Sequence, residues 1–512
     1  MSSEESLPIP TPASPLSISL RDVTLRRHPG VRSHELKSPD DDVLHRICVA
    51  VPASYEAKTR RRYPLVVLFN ACNVFGSAVE MSRLMAQTRE IHECIVICLE
   101  TPIEGDDGVQ HRGGFIAQQL LPWCRENYRV VPGPGAVFSG TTGVADALAC
   151  SVGADALRPL PGIGDLLNDS DPVSALVSGL RRHLGTGHQY GSELAVLSKP
   201  LVSGFLCALQ PLFGLLSKSM NAARDGGQHV VRAQRMERDF EVFAILPASA
   251  ATNPSRRYPA LLVLDANIEL STAAEAAARL AHRGEIEEIV VIGIGIPRAE
   301  GPIEFGFRRF EEFSPPPDGY LFDDRLGRVF RALFATRGKD ARQCVGKASQ
   351  LHGFLVDELL PNPLPQLPID ESKLGLLGHS AGGAFVAYAL CQERSPFRDY
   401  ISISPGVGMS GSWLMREPQA SPPLARAAGQ IVFCVGGEEM ANRFCEIAGI
   451  PATEALSRQV QQREPGLKVQ FRCLDGETHS TIYAPAVTLA LRSLYGTAPS
   501  RSEYSRSPTS LP

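Results

Sequence analysis

Short, uninterrupted apolar runs recur along this chain. Leu65-Val66-Val67-Leu68-Phe69, Ala260-Leu261-Leu262-Val263-Leu264, Lys373-Leu374-Gly375-Leu376-Leu377 and Ile431-Val432-Phe433-Cys434-Val435 each have the length of a buried strand in a parallel sheet. Val469-Gln470-Phe471-Arg472-Cys473 is a more polar strand. Between the runs lie stretches of small and apolar residues with helical spacing, such as AGGAFVAYALC (381–391) and APAVTLALRSLYG (484–496). Strands alternating with helices predict an α/β architecture. The longest apolar stretch, Pro200 to Leu216, is broken by Gln210 and Pro211. It is short for a membrane span and reads as a buried helix pair.

The pattern repeats. Arg61-Arg62-Tyr63-Pro64 leading into its apolar run returns as Arg256-Arg257-Tyr258-Pro259, an offset of 195 residues, and Glu93-Cys94-Ile95-Val96-Ile97 returns as Glu288-Ile289-Val290-Val291-Ile292 at the same offset. Gly114-Phe115-Ile116 and Leu120-Leu121-Pro122 answer Gly353-Phe354-Leu355 and Leu359-Leu360-Pro361 at an offset of 239, so the second copy carries 44 more residues between these landmarks. That insertion includes GFRRFEEFSPPPDGYLFDD and a helical pattern around Arg325 to Ala335, which suits a substrate-binding cap. The same offset sets Ser139-Gly140-Thr141-Thr142-Gly143 opposite Gly378-His379-Ser380-Ala381-Gly382. Thr141 of the first copy thus stands where the second has Ser380.

At 512 residues two domains are expected. A hydrophobic fraction of 44%, 21% charged residues and a formal charge of -4 describe a globular protein without the excess charge that drives nucleic-acid or membrane-surface binding. The polar, acidic start MSSEESLPIPTPASP does not read as a secretory signal. The twelve cysteines show no CxxC and no zinc spacing, and most sit in apolar runs. A cytoplasmic, reducing compartment is expected, with no metal and no membrane span.

Gly378-His379-Ser380-Ala381-Gly382 is a G-x-S-x-G between a strand and a helix, the context in which such a turn exposes a nucleophilic serine. The flanking glycines (378 and 382) are expected because side chains there would strike the neighbouring strand and helix. A serine needs a base, and His479 is the one histidine downstream of it. It follows strand-like Val469–Cys473 and precedes a helical stretch. Glu439 or Glu438, at the end of the Ile431–Gly437 run, is placed to orient the imidazole, with Glu439 preferred. Asp475, Glu477 or no dedicated acid remain open. The oxyanion donors expected are the N–H of Ala381 and that of Ala266 or Asn267, after the Ala260–Leu264 strand.

From about Arg238 to Gly496 the chain resembles an esterase family of α/β-hydrolases, in its enterochelin and ferric-siderophore esterase-like branch. The resemblance rests on Tyr258-Pro259 with Leu264-Asp265-Ala266-Asn267, Arg309 with Phe313-Ser314-Pro315, and Gly378 through Gly383. Ser404-Pro405 with Trp413, Val435-Gly436 and Gly476-Glu477-Thr478-His479 complete it. It implies hydrolysis of a carboxylic ester through an acyl-enzyme, without cofactor, on a small-molecule substrate. Arg308, Arg309 and Trp413 would then face that substrate. The chain departs from the family at Ala266, where glycine is usual, and in the longer spacing of Trp413 from Ser404-Pro405.

The expected organisation is a disordered tail (1–17), a degenerate hydrolase-like copy (18–150), a connecting region (151–237), the catalytic α/β-hydrolase domain (238–497) and a second tail (498–512). Two other functions fit the same pattern: an acyltransferase of this fold, and a non-catalytic scaffold of two pseudo-hydrolase copies. The sequence is silent on oligomeric state.

Overall fold

The computed structural model describes residues 28, 30–37, 44–69, 74–100, 113–139, 152, 157–159, 172–185, 230–315, 331–332, 334–407, 429–441 and 449–497. Thr141, Trp413, the Pro200–Leu216 stretch and most of the Arg325–Ala335 pattern lie outside the described residues.

Two mixed sheets carry the fold. The first contains β1 (Val31–Lys37), β2 (Leu44–Ala50), β3 (Leu65–Phe69), β4 (Ile95–Glu100), β5 (Gly135–Ser139) and β6 (Leu157–Pro159) in the order β1-β2-β4-β3-β5-β6. Helix α1 (Phe75–Gln87) joins β3 to β4, and α2 (Pro172–Leu184) follows β6. The second contains β7 (Val230–Ala233), β8 (Arg238–Ile245), β9 (Tyr258–Val263), β10 (Val290–Gly295), β11 (Ile369–His379), β12 (Asp399–Ile403), β13 (Gln430–Gly436) and β14 (Lys468–Leu474). Its order, read from the other edge, is β7-β8-β10-β9-β11-β12-β13-β14, so its first six strands repeat the order of the first sheet. In both, the second strand runs antiparallel to its neighbours and the later ones are parallel. One antiparallel strand near the edge of an otherwise parallel eight-stranded sheet, with β9 and β10 exchanged in position, is the strand plan of the α/β-hydrolase fold. The longer helices of this half are α3 (Ala266–His282), α4 (Gly301–Phe313), α5 (Ala381–Leu390), α6 (Ile450–Arg463) and α7 (Tyr483–Tyr495).

The repeat extends to side chains. Ser54 Oγ meets Tyr63 Oη at 2.8 Å and donates to Glu93, which also accepts from Arg61. At the offset of 195, Ser249, Tyr258, Glu288 and Arg256 make the same set of contacts. Both sheets are fed by a π-helical segment, Ile116–Leu120 and Phe354–Leu359. Ile91 bridges Gly185 just after α2, as Ile286 bridges Gly496 just after α7. Helix α2, which falls in the expected connecting region, is therefore packed on the first sheet's side as α7 is on the second's.

One buried apolar cluster spans both halves. It includes Leu68, Ala78, Val79 and Met81 from the first and Leu270, Ala273, Ala277 and Val487 from the second. At its centre α1 and α3 exchange carboxylates. Glu80 accepts from the backbone N–H groups of Ser271 and Thr272 and from the Thr272 hydroxyl. Glu275 accepts from those of Gly76 and Ser77 and from the Ser77 hydroxyl. Glu80 and Glu275 are themselves 195 residues apart, so the contact is reciprocal, as across a two-fold axis.

Two expectations change here. The elbow strand is longer than Lys373–Leu377, because exposed Glu371 and Ser372 obscure the start of β11. The insertion's α4 is a brace for the sheet: Arg308, 1% exposed, is held by Glu300, Glu312 and the carbonyl of Asp239. Arg238, Lys339 and Lys347 converge on its Glu311. Arg308 thus has no face to offer a substrate.

Candidate active site

β11 ends at His379 and α5 begins at Ala381, leaving Ser380 alone in the turn with φ 58° and ψ −119°. A non-glycine residue holds such a backbone only where its surroundings dictate it. Ser380 N–H donates to Ile403 O, and its carbonyl accepts from Ala384 and Gly406 N–H. A Cβ on Gly378 would lie 2.4 Å from the Gly382 backbone, and one on Gly383 2.7 Å from Ile403 O. At Gly382 a Cβ would meet nothing nearer than 3.5 Å. The sterically obligatory glycines are therefore 378 and 383, not 378 and 382: the helix crosses β12 one residue later than the motif suggests.

Ala381 heads α5, where first-turn N–H groups have no intrahelical acceptor. Ala266 and Asn267 head α3 in the same way, after Asp265, which caps it with a left-handed φ of 51°. The β9 turn abuts the elbow: Leu264 N–H donates to Leu377 O, and Asp265 is the nearest neighbour of a Cβ at Gly382. Asn267's side chain is occupied, exchanging hydrogen bonds with both backbone groups of Ile296 at 2.8 and 2.9 Å. Arg309 forks onto Asp265, with Nε 2.9 Å from both carboxylate oxygens. It lines a small crevice with Asn267, Ile296, Glu312 and Phe313.

His479 stands on the loop between β14 and α7, with Nδ1 3.5 Å from Glu439 Oε2. That is within ion-pair reach and longer than an ordinary N–H···O hydrogen bond. Glu439 is buried just beyond β13; its other oxygen accepts from Gly436 N–H at 2.8 Å and from the Ser404 hydroxyl. Burial alone would raise this carboxyl, yet His479, Ser404 and the Gly436 amide together hold it below its ordinary value, as the anion. Glu438 is exposed. Of the four carboxyls weighed for the third position, only Glu439 meets the imidazole among the described residues.

Sequence reasoning missed one buried pair behind this site. His379 Nε2 lies 2.9 Å from the His479 carbonyl, and its Nδ1 lies 3.0 Å from Glu269 Oε1. A carbonyl can only accept, so Nε2 carries the proton. Burial, then the nearby His479 and Arg309 charges, push the imidazole well below its ordinary value. Burial and Asp265 push Glu269 well above its own. Both shifts favour the neutral forms, in which a Glu269 O–H donates to Nδ1. The pair ties α3 to the backbone of His479. Glu269 precedes His379 by 110 residues and sits in a first helical turn, where an acid is ordinary, so no sequence signal marks it.

No protein-family profile matches the chain. The curated ferri-bacillibactin esterase BesA of Bacillus subtilis is 24% identical over 269 residues, covering 51% of this chain and 87% of that protein. The apo-salmochelin esterase of Escherichia coli is 26% identical over 214 residues, 42% of this chain and 61% of its own length. Among solved structures, the BES protein from Bacillus cereus is 22% identical, with 52% of this chain and 95% of that one covered at a TM-score of 0.41. By strand order and elbow the chain carries an α/β-hydrolase fold, and it counts siderophore esterases among its relatives.

Proposed function

We propose that this protein is a serine esterase that cleaves a small, siderophore-like carboxylic ester in its second half. Ser380 is the nucleophile, His479 the base and Glu439 the acid that orients it. His479 removes the Ser380 proton as Oγ attacks the ester carbon. The N–H of Ala381 and that of Ala266 or Asn267 hold the oxyanion. Collapse of the tetrahedral intermediate expels the alcohol, which takes the proton from His479. A water molecule then repeats the sequence on the acyl-enzyme, with His479 as base, and releases the acid. The observation that carries the reading is the strained Ser380 turn at the end of β11 together with a buried, anionic Glu439 at His479. The siderophore esters named for the relatives set the substrate class.

The first half is a pseudo-hydrolase that arose by duplication. The shared strand order and the matched Ser–Tyr–Glu–Arg sets support this, and Thr141 in place of the nucleophile supports loss of chemistry. The scattered single cysteines of the sequence, with no CxxC, favour a reducing, cytoplasmic setting. Hydrolysis of p-nitrophenyl butyrate and of ferri-bacillibactin by wild type and Ser380→Ala tests the enzyme. Turnover lost in the variant supports it, and a folded wild type inert to both esters overturns it.

A further inference from the structure

The loop that carries His479 is held from the other half of the chain. On one side of the histidine, the Thr478 hydroxyl donates to Glu90, 3.1 Å from each carboxylate oxygen. On the other, the Ser480 hydroxyl donates to Thr88 Oγ1 at 3.1 Å, and Thr88 donates in turn to Glu90 at 2.9 Å. Arg181 Nη1, from the last turn of α2, donates to Gly476 O at 2.9 Å, while its Nε lies 3.8 Å from Glu90. Thr478 is the hub of the loop, since its hydroxyl also accepts from the N–H groups of Ser480 and Thr481. Glu90, Thr478 and Ser480 are all buried. The neighbours of His479 are thereby fixed by three side chains that belong to the half without a nucleophile.

The repeat supplies an internal control. Glu285 lies 195 residues after Glu90 and pairs with Arg492 in the last turn of α7, as Glu90 pairs with Arg181 in the last turn of α2. The Glu285–Arg492 pair is exposed, its side chains 30% and 41% accessible. The same two residue types make a surface ion pair in one half and a loop anchor in the other.

We propose that the first half is the positioning partner of His479, with Thr88, Glu90 and Arg181 as the positioning residues. This rests on the esterase reading above. A displacement of about 1 Å at a catalytic group costs up to about a hundredfold in rate, so loss of the anchor acts on turnover more than on substrate binding.

The test uses the full chain with Glu90→Gln and Arg181→Met, and Glu285→Gln as control. Two measurements are made: kcat and KM on p-nitrophenyl butyrate, and amide hydrogen exchange of residues 475–482. In both anchor variants kcat falls about tenfold or more, KM stays within about twofold and the loop exchanges faster, while the control matches wild type in each. Arg181 is partly exposed, so its variant folds even where Glu90→Gln does not. A folded anchor variant with wild-type kcat overturns the proposal. If wild type hydrolyses no ester, the esterase reading fails and exchange alone decides. Faster exchange confined to the anchor variants then supports the positioning contact, and unchanged exchange overturns it.

Discussion

The two halves of the chain keep the same ties where the sheet is held together and part company at the elbow. At the foot of β3 and of β9, a serine, a tyrosine, a glutamate and an arginine close the same network. At the heads of β11 and β13 the second half has a strained serine, two close-packed glycines and a buried acid. The first half has Thr141 at that point of its sequence. It also offers Glu90 and Arg181 to its partner's loop, where the second half keeps the matching Glu285 and Arg492 as an exposed ion pair. The same framework of strands and side-chain ties thus carries different side chains at its elbow and at the loop of His479.

The largest effect expected from breaking this comparison is at the acid. Under the proposed mechanism Glu439→Gln keeps the shape but loses the charge that stabilises the His479 imidazolium. Its kcat falls by on the order of 10³–10⁴ in steady-state ester hydrolysis, while exposed Glu438→Gln stays near wild type.

Next come the glycines of the elbow. Gly383→Ala forces a methyl group against Ile403 O and lowers stability by about 1–3 kcal/mol in thermal or urea unfolding. Gly382→Ala, in ordinary contact distance, leaves stability nearly unchanged.

The smallest effect is in the reciprocal carboxylates between the halves. Burial outweighs the Ser77 and Gly76 donors and pushes Glu275 up to about 8. Its counterpart Glu80 is held below its ordinary value despite burial, because His28 and Thr272 bind it. A raised folded value means that Glu275 contributes stability at low pH and loses it as pH rises through about 8. Wild type therefore loses thermal stability between about pH 4.5 and pH 8 relative to Glu275→Gln, whose profile is flatter. Glu80 acts with the opposite sign: its contribution is present above the ordinary carboxylate range and is lost on acidification.

Much of this was legible in the sequence because it depends on local pattern. Buried strands of a parallel sheet are continuous apolar runs, and an offset of 195 carries their framework from one half to the other. The elbow and the downstream histidine are likewise short-range signals. What was hidden depends on packing between distant segments. The roles of Gly382 and Gly383 were exchanged because the crossing of α5 over β12 decides which residue needs no side chain. Arg308, read as facing a substrate, is buried in the brace of α4, since a charged residue gives no sequence sign of which helix face it occupies. Glu269, Thr88, Glu90 and Arg181 reach the site from helices and turns with no motif of their own.

The central claim is that one half carries the reacting serine and the other carries none. Reaction of the full chain with a fluorophosphonate, followed by digestion and mass-spectrometric mapping of the adduct, tests it most directly. The account predicts a single adduct, on Ser380, that disappears in Ser380→Ala. An adduct on Thr141 or elsewhere in the first half, or a folded chain that takes no label at all, would contradict it.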